Sequence, residues 1–364
     1  MSLQVVRRRR GLHQVARRLH EGTLTIGFLG GSITDPRPGY NWPEPVIGWF
    51  AHRFPGVRLR IENAAIGATG SDLAVFRAQR DIIDRHCDLV FMEYAVNDQG
   101  APAERRMRAR EGLIRKLLAG VGRDVVLVHT FCQDMYDDMI AERMPASIAA
   151  FEDLGQHYEL PSVWVGLHAL REVRAGRMRW EEWLPDGLHP QARGSLSYAQ
   201  SVIAYLEEAV SATPGDEVMR CGDPRPPLNA RHWESAHTLP FEAVQVQGPW
   251  TLRRFPHHAW IDRILSTTAP EASISFRFHG RGLALAFDFG KTSSEFRYRL
   301  DGGAWLTMTR ERPEWCGDHG WYRLDTLADD LDAREHDVTL EVVHGNRPEC
   351  TGTNCDLALI GIVD

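Results

Sequence analysis

Four short segments of this sequence hold residue types that, brought together, can transfer an acyl group. The first is Gly30-Gly31-Ser32-Ile33-Thr34, which follows the apolar run Leu24–Leu29. Two glycines let a backbone turn sharply, which would expose Ser32 at the carboxyl end of a strand. A serine there is a nucleophile if a base lies close, although the same turn suits an anion-binding nest or a helix N-cap. The segment does not match the G-x-S-x-G nucleophile elbow, so the α/β-hydrolase fold gains no support. The second segment, Asn63-Ala64-Ala65-Ile66-Gly67-Ala68-Thr69-Gly70-Ser71, is a small, glycine-rich turn. One of its N–H groups can point at a developing oxyanion, but such turns are also common between strands and helices. The third, Glu93-Tyr94-Ala95-Val96-Asn97-Asp98, offers the amide of Asn97. A side-chain amide can serve as an oxyanion donor or simply close an Asx-turn. The fourth, Asp186-Gly187-Leu188-His189-Pro190, puts a carboxylate and an imidazole three residues apart on one loop. Asp186 can accept the Nδ1 proton and leave Nε2 of His189 as a base. Alone, that spacing is common by chance.

Together the segments mean more than each alone. Three follow successive candidate strands, and the fourth sits where the chain returns to the same sheet edge. In order and spacing they resemble the SGNH hydrolase superfamily, the GDSL-type esterases, named for a Ser, a Gly, an Asn and a His in four blocks. Ser32, Gly67, Asn97 and His189 match those blocks one by one, and Asp186 matches the family's Asp three residues before the His. The resemblance covers roughly residues 22–210. It implies a flavodoxin-like three-layer α/β/α fold and serine ester hydrolysis by Ser32, His189 and Asp186. It also implies an oxyanion hole built from the N–H groups of Ser32 and Gly67 and the amide of Asn97, with no metal or organic cofactor. Gly31 stands where the family usually has Asp, and Ala95 where it usually has Gly. A branch with Gly-Gly-Ser-Ile-Thr and Ala-Val-Asn-Asp shows both changes, so they bear on subfamily and substrate.

The elements that must position these blocks follow from hydrophobic periodicity. Strands are expected at Leu24–Leu29, Val57–Glu62, Leu89–Tyr94, Asp124–Thr130 and Ser162–Val165. Helices are expected at Trp42–Phe54, Ser71–His86, Glu104–Ala119, Pro145–Tyr158 and Leu196–Val210, with Ser71 or Asp72 capping the second. Strands alternating with helices argue for a parallel sheet covered on both faces. In such sheets ligands bind outside the carboxyl ends of the strands.

The pattern changes after Ala212–Leu228, where Pro214-Gly215 and Pro224-Arg225-Pro226-Pro227 form a turn-rich linker. Beyond it, Ser273–Phe278, Leu283–Phe289, Glu295–Leu300, Asp337–Val343 and Leu357–Val363 read as short strands separated by turns such as Asp301-Gly302-Gly303. An all-β sandwich of jelly-roll type fits this half. The expected organisation is a hydrolase domain with an N-terminal helix over 1–212, a linker over 213–228 and a sandwich over 229–364. Six of the eleven tryptophans (Trp233, Trp250, Trp260, Trp305, Trp315 and Trp321) lie in the last segment. They are candidates for stacking on sugars, against the alternative that they form the sandwich core.

Composition narrows the partners. Hydrophobic residues make up 43% and charged residues 25%, values of a globular chain. A net charge of −7 disfavours nucleic-acid binding, which needs cationic side chains against phosphates. The basic run Arg7–Arg10 reads as a solvated helix start. No apolar stretch is long enough to span a membrane. No apolar segment follows the N-terminal arginines, so the expectation is a cytoplasmic protein. The six cysteines form no C-x-x-C pair, which argues against a zinc ribbon.

The function expected is hydrolysis of short acyl esters, acetyl esters on a carbohydrate being favoured, with a small-molecule or saccharide ester as substrate. The loop residues Tyr40, Asn41 and Trp42, which follow the nucleophile, are candidates for the pocket wall or for a rigid surface loop. Two alternatives use the same sequence: a non-catalytic carbohydrate-binding protein, and an O-acyltransferase that hands the acyl group to a sugar. Self-association into a homo-oligomer is left open.

Overall fold

The computed structural model describes residues 3–36, 41–120, 122–211, 225–308, 316–318, 320–348 and 350–364. The chain divides into two compact units, Met1–Glu234 and Ser235–Asp364.

In the first unit the strands are β1 (Val6–Arg7), β2 (Thr23–Leu29), β3 (Arg58–Asn63), β4 (Leu89–Met92), β5 (Asp124–Val128) and β6 (Ser162–Val163). The helices are α1 (His13–His20), α2 (Pro43–Arg53), α3 (Ser71–Ala78), α4 (Ala103–Leu118), α5 (Tyr136–Ile140), α6 (Ala146–His157), α7 (Val165–Arg174), α8 (Trp180–Trp183) and α9 (Ala192–Ser211). The sheet order is β1-β6-β5-β4-β2-β3. From β6 to β3 every pair is parallel, and β1 joins the edge antiparallel. Without β1 this is the 2-1-3-4-5 order of a flavodoxin-like sheet. The central strands β4 and β5 are buried along their whole length, as a sheet covered on both faces requires. α3 packs on α4 and α4 on α6, while α9 packs on α2, α7 and α8. The layers are therefore helix, sheet and helix.

Three local expectations are corrected. Arg7–Arg10 is not a solvated helix start: Arg7 lies in β1, paired with Ser162. Arg9, only 8% exposed, donates to Glu152 at 2.5 Å and to the Leu160 carbonyl at 2.7 Å. A buried carboxylate recruits the cation that the charge run made look solvated. Neither Ser71 nor Asp72 caps α3: Gly70 takes the N-cap position, and the Ser71 N–H is met instead by the distant carboxylate of Asp98. The last helix starts at Ala192, four residues before the expected Leu196.

Residues 213–224 of the expected linker lie outside the described residues. Residues 225–234 pack on the first unit. Leu228 and Asn229 donate their N–H groups to the two oxygens of buried Glu111, and Arg115 pairs with Glu234. Trp233 is buried over Gly112, where a Cβ would run into the Trp233 backbone. The glycine thus lets a strap of chain lie directly on α4.

The second unit has two antiparallel sheets. One has the order β15-β12-β17-β10-β9, with β7 also pairing β17, and the other β14-β13-β16-β11-β8. The strands are β7 (His237–Thr238), β8 (Gln245–Gln247), β9 (Thr251–Arg254), β10 (Arg263–Thr267), β11 (Ser273–Gly280), β12 (Gly282–Phe289), β13 (Glu295–Leu300), β14 (Leu306–Met308), β15 (Trp321–Ala328), β16 (Arg334–Val343) and β17 (Cys355–Val363). Alternate residues of β11 and β16, including Phe276, Phe278, Val338 and Leu340, meet Leu283, Leu285 and Phe287 of β12 and Ile360 of β17 in one core. This is a β-sandwich. Trp260 is part of its buried interior, whereas Trp305 is half-exposed beneath the guanidinium groups of Arg297 and Arg299. Trp315 lies outside the described residues. Among the described residues no helix is long and apolar enough to cross a membrane.

Candidate active site

β2 lies between β3 and β4, so the chain runs from β2 to β3 on one side and then crosses back to β4 on the other. That reversal opens a crevice at the strands' carboxyl ends. The segments after β2, β3 and β4 converge there, joined by the loop that precedes α9.

The turn after β2 is drawn tight by two bonds, Thr34 N–H and Asp35 N–H both donating to the Gly31 carbonyl at 3.1 and 3.0 Å. Ser32 is half-buried on this turn, with its Oγ 2.9 Å from Nε2 of His189. The loop after β3 runs alongside: Ile66 N–H donates to the Gly30 carbonyl at 2.9 Å, one residue before Gly67. The amide of Asn97 rests on Gly31. A Cβ added at Gly31 would run into Asn97 Oδ1 and lie 2.6 Å from its Cγ and 2.9 Å from its Nδ2. A glycine is therefore required where the resembling family usually carries Asp, because Asn97 already fills the space.

The fourth segment is a loop shaped around a carboxylate. Asp186 Oδ1 accepts the N–H groups of Leu188 (3.0 Å) and His189 (2.7 Å), and Oδ2 lies 2.8 Å from His189 Nδ1. Gly187 supplies the left-handed backbone (φ +76) that the loop needs, and Gln133 N–H clamps its carbonyl at 3.0 Å. Burial alone would raise the Asp186 carboxyl, but the bonds from His189 and Leu188 prevail and hold it below the usual carboxylate value. With Nδ1–H donated to Asp186, Nε2 is left to accept the Ser32 hydroxyl proton. The side chains of His189 and Asp186 remain 37% and 53% exposed, so the relay is open to a ligand.

Ser32, His189 and Asp186 thus meet, Asn97 abuts the serine turn, and Gly67 lies on the neighbouring loop. The pocket-wall candidates fare differently. Trp42 lines no open pocket: it is fully buried, edge-on to Phe28 and Phe91, with Nε1 donating to Thr34 Oγ1 at 2.9 Å. A large ring next to the sheet gains more from burial than from water contact. Asn41 is buried too, one residue before the N-cap Trp42 of α2, and its Oδ1 accepts Glu44 N–H at 3.0 Å in the helix's first turn. Tyr40 lies outside the described residues.

The sequence reading missed the groups that hold the third segment in place. Asp98 accepts from Ser71 N–H and Oγ at 2.8 and 2.7 Å and from Arg110 Nε at 2.7 Å. Arg110, wholly buried on α4, also donates to the carbonyl and hydroxyl of Ser147 and lies 3.7 Å over the Phe151 ring. Burial pulls its guanidinium down to about 10, with Asp98 opposing, so it stays cationic. Glu93 is also fully buried at the end of β4, and burial raises its carboxyl above the usual value. Asp98 sits beside Asn97 in sequence, which was a usable signal; no local pattern marks its partner on α4. Among the described residues no group of three or more His, Cys, Asp or Glu is arranged to hold a metal ion.

A flavodoxin-like sheet thus gathers the Ser, Asn and Asp/His loops at one edge, and an antiparallel sandwich follows it in the chain. Solved structures share this whole two-domain architecture. One is a two-domain esterase active on acetylated mannans, with a TM-score of 0.81, 23% identity, and 98% of this chain and 96% of that one covered. The same esterase co-crystallised with mannopentaose aligns with a TM-score of 0.80 at the same identity and coverage. At this identity the likeness is one of fold. No protein-family model and no curated protein matches the sequence.

Proposed function

We propose that this protein is a serine carboxylic ester hydrolase that removes acetyl groups from a carbohydrate. The observation behind this reading is the continuous relay from Ser32 Oγ to His189 Nε2 (2.9 Å) and from His189 Nδ1 to Asp186 Oδ2 (2.8 Å), at the sheet's switch point. His189 takes the Ser32 proton as Oγ attacks the ester carbonyl, and Asp186 orients the ring and stabilises the imidazolium. The N–H groups of Ser32 and Gly67 and the amide of Asn97 receive the oxyanion. His189 then protonates the departing sugar oxygen, and water attacks the acyl-enzyme by the same relay. The choice of an acetylated polysaccharide is supported by the shared fold of the esterase active on acetylated mannans.

The test is initial-rate hydrolysis of p-nitrophenyl acetate and p-nitrophenyl octanoate, with acetate release from acetylated mannan measured in parallel. Acetate turnover and mannan deacetylation that both vanish in Ser32→Ala are expected. Turnover that survives the substitution would refute the mechanism. Acetate turnover without release from mannan would rule out mannan as the carbohydrate.

A further inference from the structure

Glu93 is an ionisable side chain with no exposure to solvent, bonded to the turn that carries Ser32. Burying such a group is costly unless its oxygens are bonded. Both are. Oε2 accepts from Thr34 Oγ1 at 3.0 Å and from Gly31 N–H at 3.4 Å, and Oε1 accepts from Thr130 Oγ1 at 2.7 Å. Gly31 and Thr34 flank Ser32, and Thr130 follows β5. The Thr34 hydroxyl also accepts Trp42 Nε1, so its own proton is directed to Glu93. Space agrees with the bonding: a Cβ at Gly30 would lie 2.9 Å from Glu93 Oε2 and 2.8 Å from Thr34 Cβ. The first glycine of the serine turn therefore leaves room for the carboxyl group, as the second leaves room for Asn97.

We propose that Glu93 is a positioning residue for the nucleophile. Its carboxyl group grips the backbone before Ser32 and the side chain after it, and ties both to β5, so that Ser32 Oγ is held at hydrogen-bond distance from His189. Glu93 itself touches no substrate. The idea rests on Ser32 being the nucleophile, and its failure can be told apart from failure of that reading.

The experiment compares Glu93→Ala and Glu93→Gln with the full-length wild type. It measures kcat and KM on p-nitrophenyl acetate, the rate of labelling by a fluorophosphonate probe, and thermal unfolding. Misplacing a reacting group by about 1 Å can cost about 10²-fold in rate. Folded Glu93→Ala should lose about that in kcat with KM changed less than about twofold, and its labelling rate should fall in parallel. Glu93→Gln, which keeps the volume and one acceptor oxygen, should recover part of both rates. A merely structural role would lower the unfolding temperature while leaving kcat and labelling of the folded protein intact, and that result overturns the proposal. If Glu93→Ala does not fold, Thr34→Val removes the hydroxyl's bond to Oε2 by a methyl-for-hydroxyl exchange. A folded Thr34→Val with wild-type kcat and labelling overturns the proposal equally. Wild-type protein that neither labels nor turns over ester would instead bring down the serine reading on which the proposal rests.

Discussion

Gly31→Ala is the smallest change that separates this site from an ordinary strand-to-helix turn. The new methyl would sit 2.6 Å from Asn97 Cγ and closer still to its Oδ1. Carbon atoms pack comfortably at about 3.5–4.0 Å, so the amide must retreat by about 1 Å or more. A shift of about that size costs about 10²-fold when it moves a group that acts on the reacting atoms, and losing one oxyanion donor costs about 10²–10³. The two magnitudes agree, and a kcat loss of about 10²-fold on p-nitrophenyl acetate is expected, with little change in KM. Gly48→Ala in α2 is the control, because a Cβ there meets nothing within 4 Å; it should leave kcat unchanged. The decisive measurement is a double-mutant cycle with Asn97→Ala. Once the amide is gone, the extra methyl has nothing to displace, so the double mutant should be about as slow as Asn97→Ala alone. If the two losses multiply, or if Gly31→Ala keeps wild-type kcat, then Asn97 is not the group the methyl disturbs and its role as oxyanion donor is refuted.

Other outcomes follow from the same geometry. Asp186→Asn keeps the shape of the loop but favours the wrong imidazole tautomer, so kcat at neutral pH should fall by about 10²–10⁴; an unchanged steady-state rate would show that His189 needs no orienting partner. Trp42→Ala should cost about 3–5 kcal/mol of stability, measured by denaturant unfolding, because it empties a fully buried site; a specific rise in KM without loss of stability would restore it to the substrate pocket. Burial pushes the Asp124 carboxyl up to about 7, and the Val15 N–H bonded to it opposes the push. A folded-state value above the unfolded one means that its stabilising contribution is complete below about pH 4 and is lost as pH rises through about 7. Asp124→Asn should therefore flatten the fall in Tm across that window, and an unaltered slope would assign it to other groups.

The four chemical segments were legible because each writes its backbone requirement locally. Paired glycines follow β2, a small-residue turn follows β3, and a carboxylate three residues before an imidazole closes its own loop. Parallel strands such as β4 and β5 are buried on both faces and so read as unbroken apolar runs. What stayed hidden depends on pairing across long sequence separations. Asp98 with Arg110, and Glu93 with Thr34 and Thr130, are polar residues whose burial no window of sequence discloses. Arg9 looked solvated for the same reason. Strands β8 and β9 are exposed along their whole length, so they show no apolar alternation to be read. Trp42 was a candidate for a pocket wall or a surface loop because it follows the serine in sequence, whereas its size sends it to the core.

The strap of residues 225–234 bears on how this chain can be cut and recombined. A fragment ending at the last residue of α9 would strip Trp233 from Gly112 and take both N–H donors from the Glu111 carboxylate. It would expose an apolar face and strand a buried charge in a unit that still holds every residue of the relay. Such a fragment would be inactive or aggregated for reasons unrelated to the sandwich, and the loss would be misread as dependence of catalysis on the second unit. A fair dissection, or a chimera that exchanges the sandwich for another module, has its seam after Glu234.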